Sequence, residues 1–231
     1  VGFMACFLAD WRWHSPFRNP RPLNLVNRIA LVWAWVLVGK LMFFSGWVKL
    51  AWATPDYPEW WPEHSAMTYH YMTQPIPTWT AWWAHQLPEG IQKASIWPMY
   101  FVELVLPFFI ILGRFGRLMA AIGFAGLMLL ILATGNYTYF NWLTIVLCLP
   151  LVHDRCWPNR HRQWLKLGKP EKKDRPSRRR VIIQLSCTAP VFLLMLLLNL
   201  QIIIGDLHRA PLPTLKKDLT PAWLDQLRAS T

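Results

Sequence analysis

Two ionisable residues lie inside apolar stretches of this sequence and are its first candidates for chemistry. Lys40 lies in the apolar run 29–48 and Glu103 in the run 94–112. At the helical rise per residue, each side chain lies roughly 14 Å below the outer end of its run. Ionisable groups at such depth usually face a partner or a cavity. We therefore predict an ion pair between Lys40 and Glu103, which is either a structural lock between two helices or a proton-handling or substrate-binding site.

Three histidines, His64, His70 and His85, lie in the polar segment that follows the first apolar run. Their spacings match no familiar zinc pattern, so the sequence predicts neither a metal site nor a cofactor. His70 is flanked by Tyr69 and Tyr71. Its ordinary pKa near neutrality suits acid or base chemistry, but a hydrogen-bonding role between the two tyrosines is the preferred interpretation. No residue is assigned a catalytic role.

A second polar segment, around residue 135, is predicted to face the same side as the histidine-rich one. Residues 75 and 77 are prolines, which force extended backbone at the positions before them and make residues 69–77 a rigid, shaped segment. Together the two segments could line one outer site for a client or ligand. Its candidate residues are Tyr69, His70, Tyr71, Gln74, Pro75, Pro77, His85, Thr134, Gly135, Asn136, Tyr137 and Asn141.

The elements that position these residues are predicted to be membrane-spanning helices. Of the 231 residues, 54% are hydrophobic and 16% are charged, and the apolar residues form blocks. A span needs about 20 apolar residues. The fold class is therefore all-α, a polytopic integral membrane protein with about five transmembrane helices and an outer interfacial loop or helix. The predicted spans are 29–48, 94–112, 118–133, 137–152 and 181–204.

Loop charges predict how these helices are oriented. Eleven Lys or Arg residues lie in 155–180, whereas 54–93 contains a single lysine among several acids. Cytoplasmic loops carry the excess of cations, so we place the lead segment 1–28 and the basic loop 153–180 inside. The four-helix core 29–152 includes the outer loop 54–93, and this loop and the tail 205–231 are predicted to face the outside, which is the lumen or the periplasm. Residues 78–87 have tryptophans at helical spacing and predict an interfacial helix.

The net charge of +12 does not indicate nucleic-acid binding, because no nucleic-acid-binding module accompanies it. Most of that charge lies in the segments that are predicted to be cytoplasmic. The bilayer is thus the first predicted partner, and the lysines and arginines next to the last span are expected to contact anionic head groups.

Several long strings resemble the lipase maturation factor family. They are KLMFFSGWVKL at 40–50, YHYMTQPIPT at 69–78, AHQLPE at 84–89 and TGNYTYFNWLTIVLCL at 134–149, with GFMA near the start. The resemblance covers about residues 1–154 and implies the membrane core of a family member. We interpret the chain as a bacterial-type fragment, because the family usually has further spans before the GFMA-like string and a soluble portion after the last span.

The resemblance implies a maturation or assembly factor that assists folding of secreted lipases or other exported clients. Its expected location is the bacterial inner membrane, or the endoplasmic reticulum membrane if the source is eukaryotic. This non-enzymatic interpretation is preferred. The alternative is a membrane-embedded enzyme distantly similar to the vitamin K-dependent carboxylases, in which Lys40, Glu103 and His70 act on a lipid-soluble substrate. A transporter or a structural subunit is a third possibility.

Overall fold

A computed structural model describes residues 25–51, 59–135, 137–153 and 178–209 of the chain. In these ranges the secondary structure is helical and no strand occurs. The α-helices are α1 Leu25–Ala51, α2 Met67–Thr73, α3 Trp79–His85, α4 Glu89–Tyr100, α5 Leu106–Phe109, α6 Gly113–Thr134, α7 Tyr139–Cys148 and α8 Arg178–Arg209. The prediction of an all-α fold is confirmed for this part of the chain. The lead segment before residue 25, most of the basic loop and the tail after residue 209 lie outside the described residues.

Two helical stretches are long and apolar enough to cross a membrane. They are Leu25–Ala51 and Glu89–Thr134, and two shorter apolar helices are Tyr139–Leu151 and Ala189–Gly205. These four stretches coincide with the runs from which five spans were predicted, but the number five itself stays a prediction. The second stretch has 46 residues, which is far more than one crossing needs.

This long stretch folds back on itself at Gly113. Gly113 has a φ of 84°, a conformation that glycine adopts readily, and it follows a short 3-10 turn at Ile110–Leu112. Leu106 and Gly123 would be about 25 Å apart in one straight helix. Instead the Leu106 side chain packs directly on Gly123, where any Cβ atom would overlap it. The stretch is therefore a helical hairpin, as the separate runs 94–112 and 118–133 predict.

A π-helical turn, Phe101–Val105, interrupts the first arm of this hairpin. Pro107 has no N–H, so the carbonyl of Glu103 lacks the donor that a regular helix would supply. The N–H of Leu106 donates to the carbonyl of Phe101, a hydrogen bond over five residues. The turn contains Glu103, one of the two candidate ionisable residues.

The core lies where α1, α5, α6 and α7 meet. Its fully buried side chains include Val38, Met42 and Phe124. Leu147 of α7 and Leu151, just after α7, pack against them. At the end predicted to be cytoplasmic, the indole N–H of Trp35 donates to the carbonyl of Pro150 at 2.8 Å. The Arg117 guanidinium of α6 lies 4.3 Å from the centre of the Trp35 ring. Trp35 of α1 therefore contacts both α6 and the turn that follows α7.

Helix α8 packs along α1. Near the start of α1, the rings of Trp33 and Phe192 stack at 6.2 Å. Further along, Lys40 Nζ donates to Asn199 Oδ1 at 2.8 Å. Since residue numbers increase along both helices from the first contact to the second, α1 and α8 run in the same direction.

Candidate functional site

The outer loop, described from residue 59 onward, caps the carboxyl end of α6. The last carbonyls of a helix have no donor within the helix, and leaving them bare is costly in an apolar environment. The hydroxyl of Thr78 donates to the carbonyl of Ala133 at 3.2 Å, and that of Thr80 donates to the same carbonyl. Gln74 Nε2 donates to the carbonyl of Thr134 at 3.3 Å. The loop and the α6 end are therefore one structural unit.

Gln74 and Gly135 form the closest contact of this unit. The Gln74 side chain is 5% exposed. Its amide lies against Gly135 so closely that a Cβ at that position would overlap the amide oxygen. Gly135 has extended backbone, with φ −177° and ψ −173°, so close approach rather than backbone conformation is what requires glycine here.

The structure sorts the predicted outer-site residues into buried and exposed groups. Gln74, Tyr71, Gly135 and Asn141 are buried, and Asn141 is only 1% exposed. Partly buried are His70, His85 and Thr134, whereas Tyr69, Pro75, Pro77 and Tyr137 are exposed. Asn136 lies outside the described residues. The buried members therefore hold the two segments together, and the exposed members form the accessible surface.

Local conformations in the loop follow from its prolines and tryptophans. Gln74, directly before Pro75, has φ −64° and ψ 149°, which confirms the predicted extended backbone. The predicted helix within 78–87 is also confirmed, as α3. Between α2 and α3 is a cavity of about 240 Å³. Its lining includes Tyr71, Pro77 and His85, so three predicted site residues share it.

The predicted pairing of Lys40 with Glu103 is wrong. Glu103 forms its ion pair with Lys49, and Lys40 bonds to Asn199 on α8. Glu103 is 3% exposed. A Cβ at Gly46 would lie 2.8 Å from that of Glu103, so Gly46 lets the π turn approach α1 at the level of its last turns.

The prediction failed because it assumed that the end of the first run and the start of the second run lie at the same depth. In the structure α4 begins at Glu89, five residues before the predicted start at Ala94. Its first turns lie beyond the end of α1 and support the outer loop. Glu103 is therefore level with Lys49 rather than with Lys40.

Trp60 connects this ion pair to the outer loop. Lys49 Nζ lies 5.3 Å from the centre of the Trp60 ring, within range of a cation–π interaction. Tyr100 donates its hydroxyl hydrogen bond to the carbonyl of Trp60 at 3.0 Å. The Trp60 ring meets that of His70 edge-on at 6.3 Å. His70 thus faces the ion pair, while Gln74 faces the α6 end.

We expect acid to destabilise the wild-type chain more than a His70→Phe variant. Burial lowers the pKa of His70 below its ordinary value of 6.5, and the Lys49 ammonium lowers it further. Folding thus favours the neutral ring, and the stability from this group is present above pH 6.5 and is lost as pH falls toward the lower folded pKa.

This loss is limited to about 1.4 kcal/mol per pH unit for one proton. Melting temperatures between about pH 7.5 and about pH 5.5 test it. Identical pH profiles for the wild type and His70→Phe would contradict the expectation.

A family model described as the lipase maturation factor transmembrane domain matches residues 1–159. The chain belongs to the lipase maturation factor family. The match includes α1–α7, the outer loop and the Lys49–Glu103 pair, and α8 lies beyond it. Family membership and the apolar helices together indicate an integral membrane protein.

Curated relatives carry the same family name. The chain is similar to lipase maturation factor 2 of Gallus gallus, with 43% identity over 159 residues, which are 67% of this chain and 21% of that protein. Human lipase maturation factor 2 is 43% identical over 164 residues, covering 67% and 22%. Lipase maturation factor 1 of Mus musculus is 28% identical over 154 residues, covering 67% and 25%.

The chain therefore spans about a fifth to a quarter of the length of the relatives it matches. No solved structure matches it.

Sequence reasoning missed several residues that build the site. Lys49 directly follows the predicted span 29–48, and a lysine at the end of a helix needs no partner. Thr78 and Thr80 flank the first tryptophan of α3, and their spacing resembles an ordinary helix start. One signal for the contact of α1 with the π turn was present in the sequence. Gly46 lies two residues past Phe44 in the last turns of α1, and a small residue in an apolar helix often marks a close contact with another helix.

Proposed function

We propose that this member of the lipase maturation factor family engages an exported client protein, in the first instance a secreted lipase, on the exposed surface of its outer loop. The observation that carries the proposal is the capping of α6 by Gln74 and the α3 threonines. Because the segment between these caps is fixed at both ends, it presents apolar side chains without a large ordering cost on binding.

The client surface comprises the exposed residues Tyr69, Met72, Pro75, Ile76 and Pro77. Ile76 is 50% exposed and lies between two prolines. Large apolar side chains held outward by a rigid backbone suit contact with a folding protein whose apolar surface is still accessible. No Asp, Glu, Lys or Arg occurs between His64 and Pro88, so this contact is apolar rather than electrostatic.

Five membrane crossings, with the outer loop in the periplasm or the lumen of the endoplasmic reticulum, are part of this proposal. The parallel directions of α1 and α8 support it. Two helices that cross a membrane in the same direction are the first and last of an odd number of crossings. The charge difference between 155–180 and 54–93 supports the orientation. In this arrangement the client surface lies on the side where secreted proteins fold.

A photo-crosslinking amino acid at Ile76 should capture a co-expressed secreted lipase. Ile111 provides a matched control, because it is also an exposed isoleucine but belongs to the 3-10 turn at the opposite end of the bundle. We expect a lipase adduct from position 76 and none from position 111, measured by immunoblot and mass spectrometry. Equal capture at both positions would contradict the proposal, as would no capture in cells whose lipase activity still depends on this protein.

One specific observation favours the alternative of a membrane-embedded enzyme. Lys49, Glu103 and His70 converge near the outer end of α1, although the lysine is Lys49 rather than Lys40. Adducts of a small lipid-soluble molecule, with no protein adduct at position 76, would favour that alternative.

A further inference from the structure

The exposed face of α3 carries three tryptophans that no described residue covers. Trp79, Trp82 and Trp83 are related by helical spacings of three and four residues, so they lie on one face. Trp79 is 77% exposed, and the other two are also exposed. Aromatic surface of this size on one short helix indicates an interaction surface.

The opposite face of α3 fixes its height relative to the apolar helices. Thr78 and Thr80 bond to the carbonyl of Ala133, in the last turn of α6, and Ala81 is buried. Because α6 is part of an apolar stretch long enough to cross a membrane, its last turn lies where the hydrocarbon ends. The three tryptophans belong to the same short helix and are therefore close to that level.

We propose that Trp79, Trp82 and Trp83 insert into the interfacial zone of the bilayer, between head groups and acyl chains. Indole rings favour this zone because they combine a large apolar ring with one N–H donor. The absence of Asp, Glu, Lys and Arg between His64 and Pro88 means that the contact does not depend on anionic lipid. The occupant is therefore a lipid surface of either head-group charge.

This lipid contact sets the position of the client surface. α3 and the segment Met72–Pro77 are adjacent in sequence and share the caps on α6. Tryptophans held in the interface would keep Ile76 directly above the membrane. A client would then meet the protein at the bilayer surface rather than in bulk solvent.

The test uses the full chain in phosphatidylcholine nanodiscs without any client, so its outcome is independent of the client proposal. A photo-crosslinking amino acid is placed at Trp79 or Trp83, with Ile76 as the exposed control above the membrane and Ile122 on α6 as the control within it. We expect lipid adducts at positions 79 and 83 at a yield close to that at 122 and several-fold above that at 76, as measured by intact-mass spectrometry.

Yields at 79 and 83 no higher than at 76 would overturn the proposal. Protein adducts at 79 and 83 in native membranes, in place of lipid adducts, would also overturn it, because they would assign this face to a protein partner. Nanodiscs in which part of the lipid is phosphatidylglycerol should give the same yields. A several-fold increase there would contradict the charge-independent contact.

Discussion

Replacing Glu103 with Gln should destabilise the protein by about 3–5 kcal/mol, the cost typical of breaking a buried ion pair from one side. Lys49 would be left as an uncompensated cation among apolar helices, since its carboxylate partner is gone. Lys49→Met should have a similar effect and should also remove the contact with Trp60. The measurement is the melting temperature of purified protein in detergent, together with its abundance in the membrane.

The matched control for this pair is Lys40, the other lysine of α1. Exchanging the charges as Lys49→Glu with Glu103→Lys should recover much of the stability lost in either single variant. Lys40→Glu with Glu103→Lys should recover none, because Lys40 bonds to Asn199 on α8. Recovery by the Lys40 exchange, or equal recovery by both, would contradict the assigned pairing.

If the charge exchange restores abundance but not client maturation, the pair has a role beyond stability. Restored abundance together with restored maturation would assign it a structural role alone. The π turn around Glu103 makes the distinction worth measuring, because such turns often occur at functional sites.

Hydrophobic blocks predicted the helices well, because the number of consecutive apolar residues is a direct consequence of bilayer thickness. The run 29–48 lies within α1, and the break between 112 and 118 coincides with the reversal at Gly113. Proline chemistry predicted the extended backbone at Gln74 equally well, since that restriction is local.

Contacts between helices were harder to predict, because they depend on how far each helix slides along its neighbour. The sequence from Glu89 to Tyr100 mixes polar and apolar residues, so it does not reveal where the hydrocarbon begins. The two helices are offset by nine residues relative to the predicted alignment, so the partner of Glu103 moved by more than two turns, from Lys40 to Lys49. The contact of Gln74 with the α6 end depends on the loop path between α2 and α3, which hydropathy does not encode.

Gly135→Ala should displace Gln74 and detach the outer loop from the α6 end. The new methyl group would overlap the Gln74 amide, which would then lose its burial and its hydrogen bond to the Thr134 carbonyl. A buried carbonyl left without a donor costs about 1–3 kcal/mol, and every 1.4 kcal/mol is about tenfold in population. We therefore expect roughly a tenfold or greater loss of lipase capture by the crosslinker at Ile76.

Gln74→Ala distinguishes this mechanism from a general intolerance of Gly135 to substitution. Gly135 has extended backbone that alanine adopts freely, so the side chain of Gln74 is the obstacle. Combining Gln74→Ala with Gly135→Ala should therefore be less damaging than the sum of the two single changes, a coupling that a double-mutant cycle measures. Additive effects on melting temperature and on capture at Ile76 would mean that the two residues do not act through their contact. Coupling in both measurements would mean that the Gln74–Gly135 contact determines the position of the client surface.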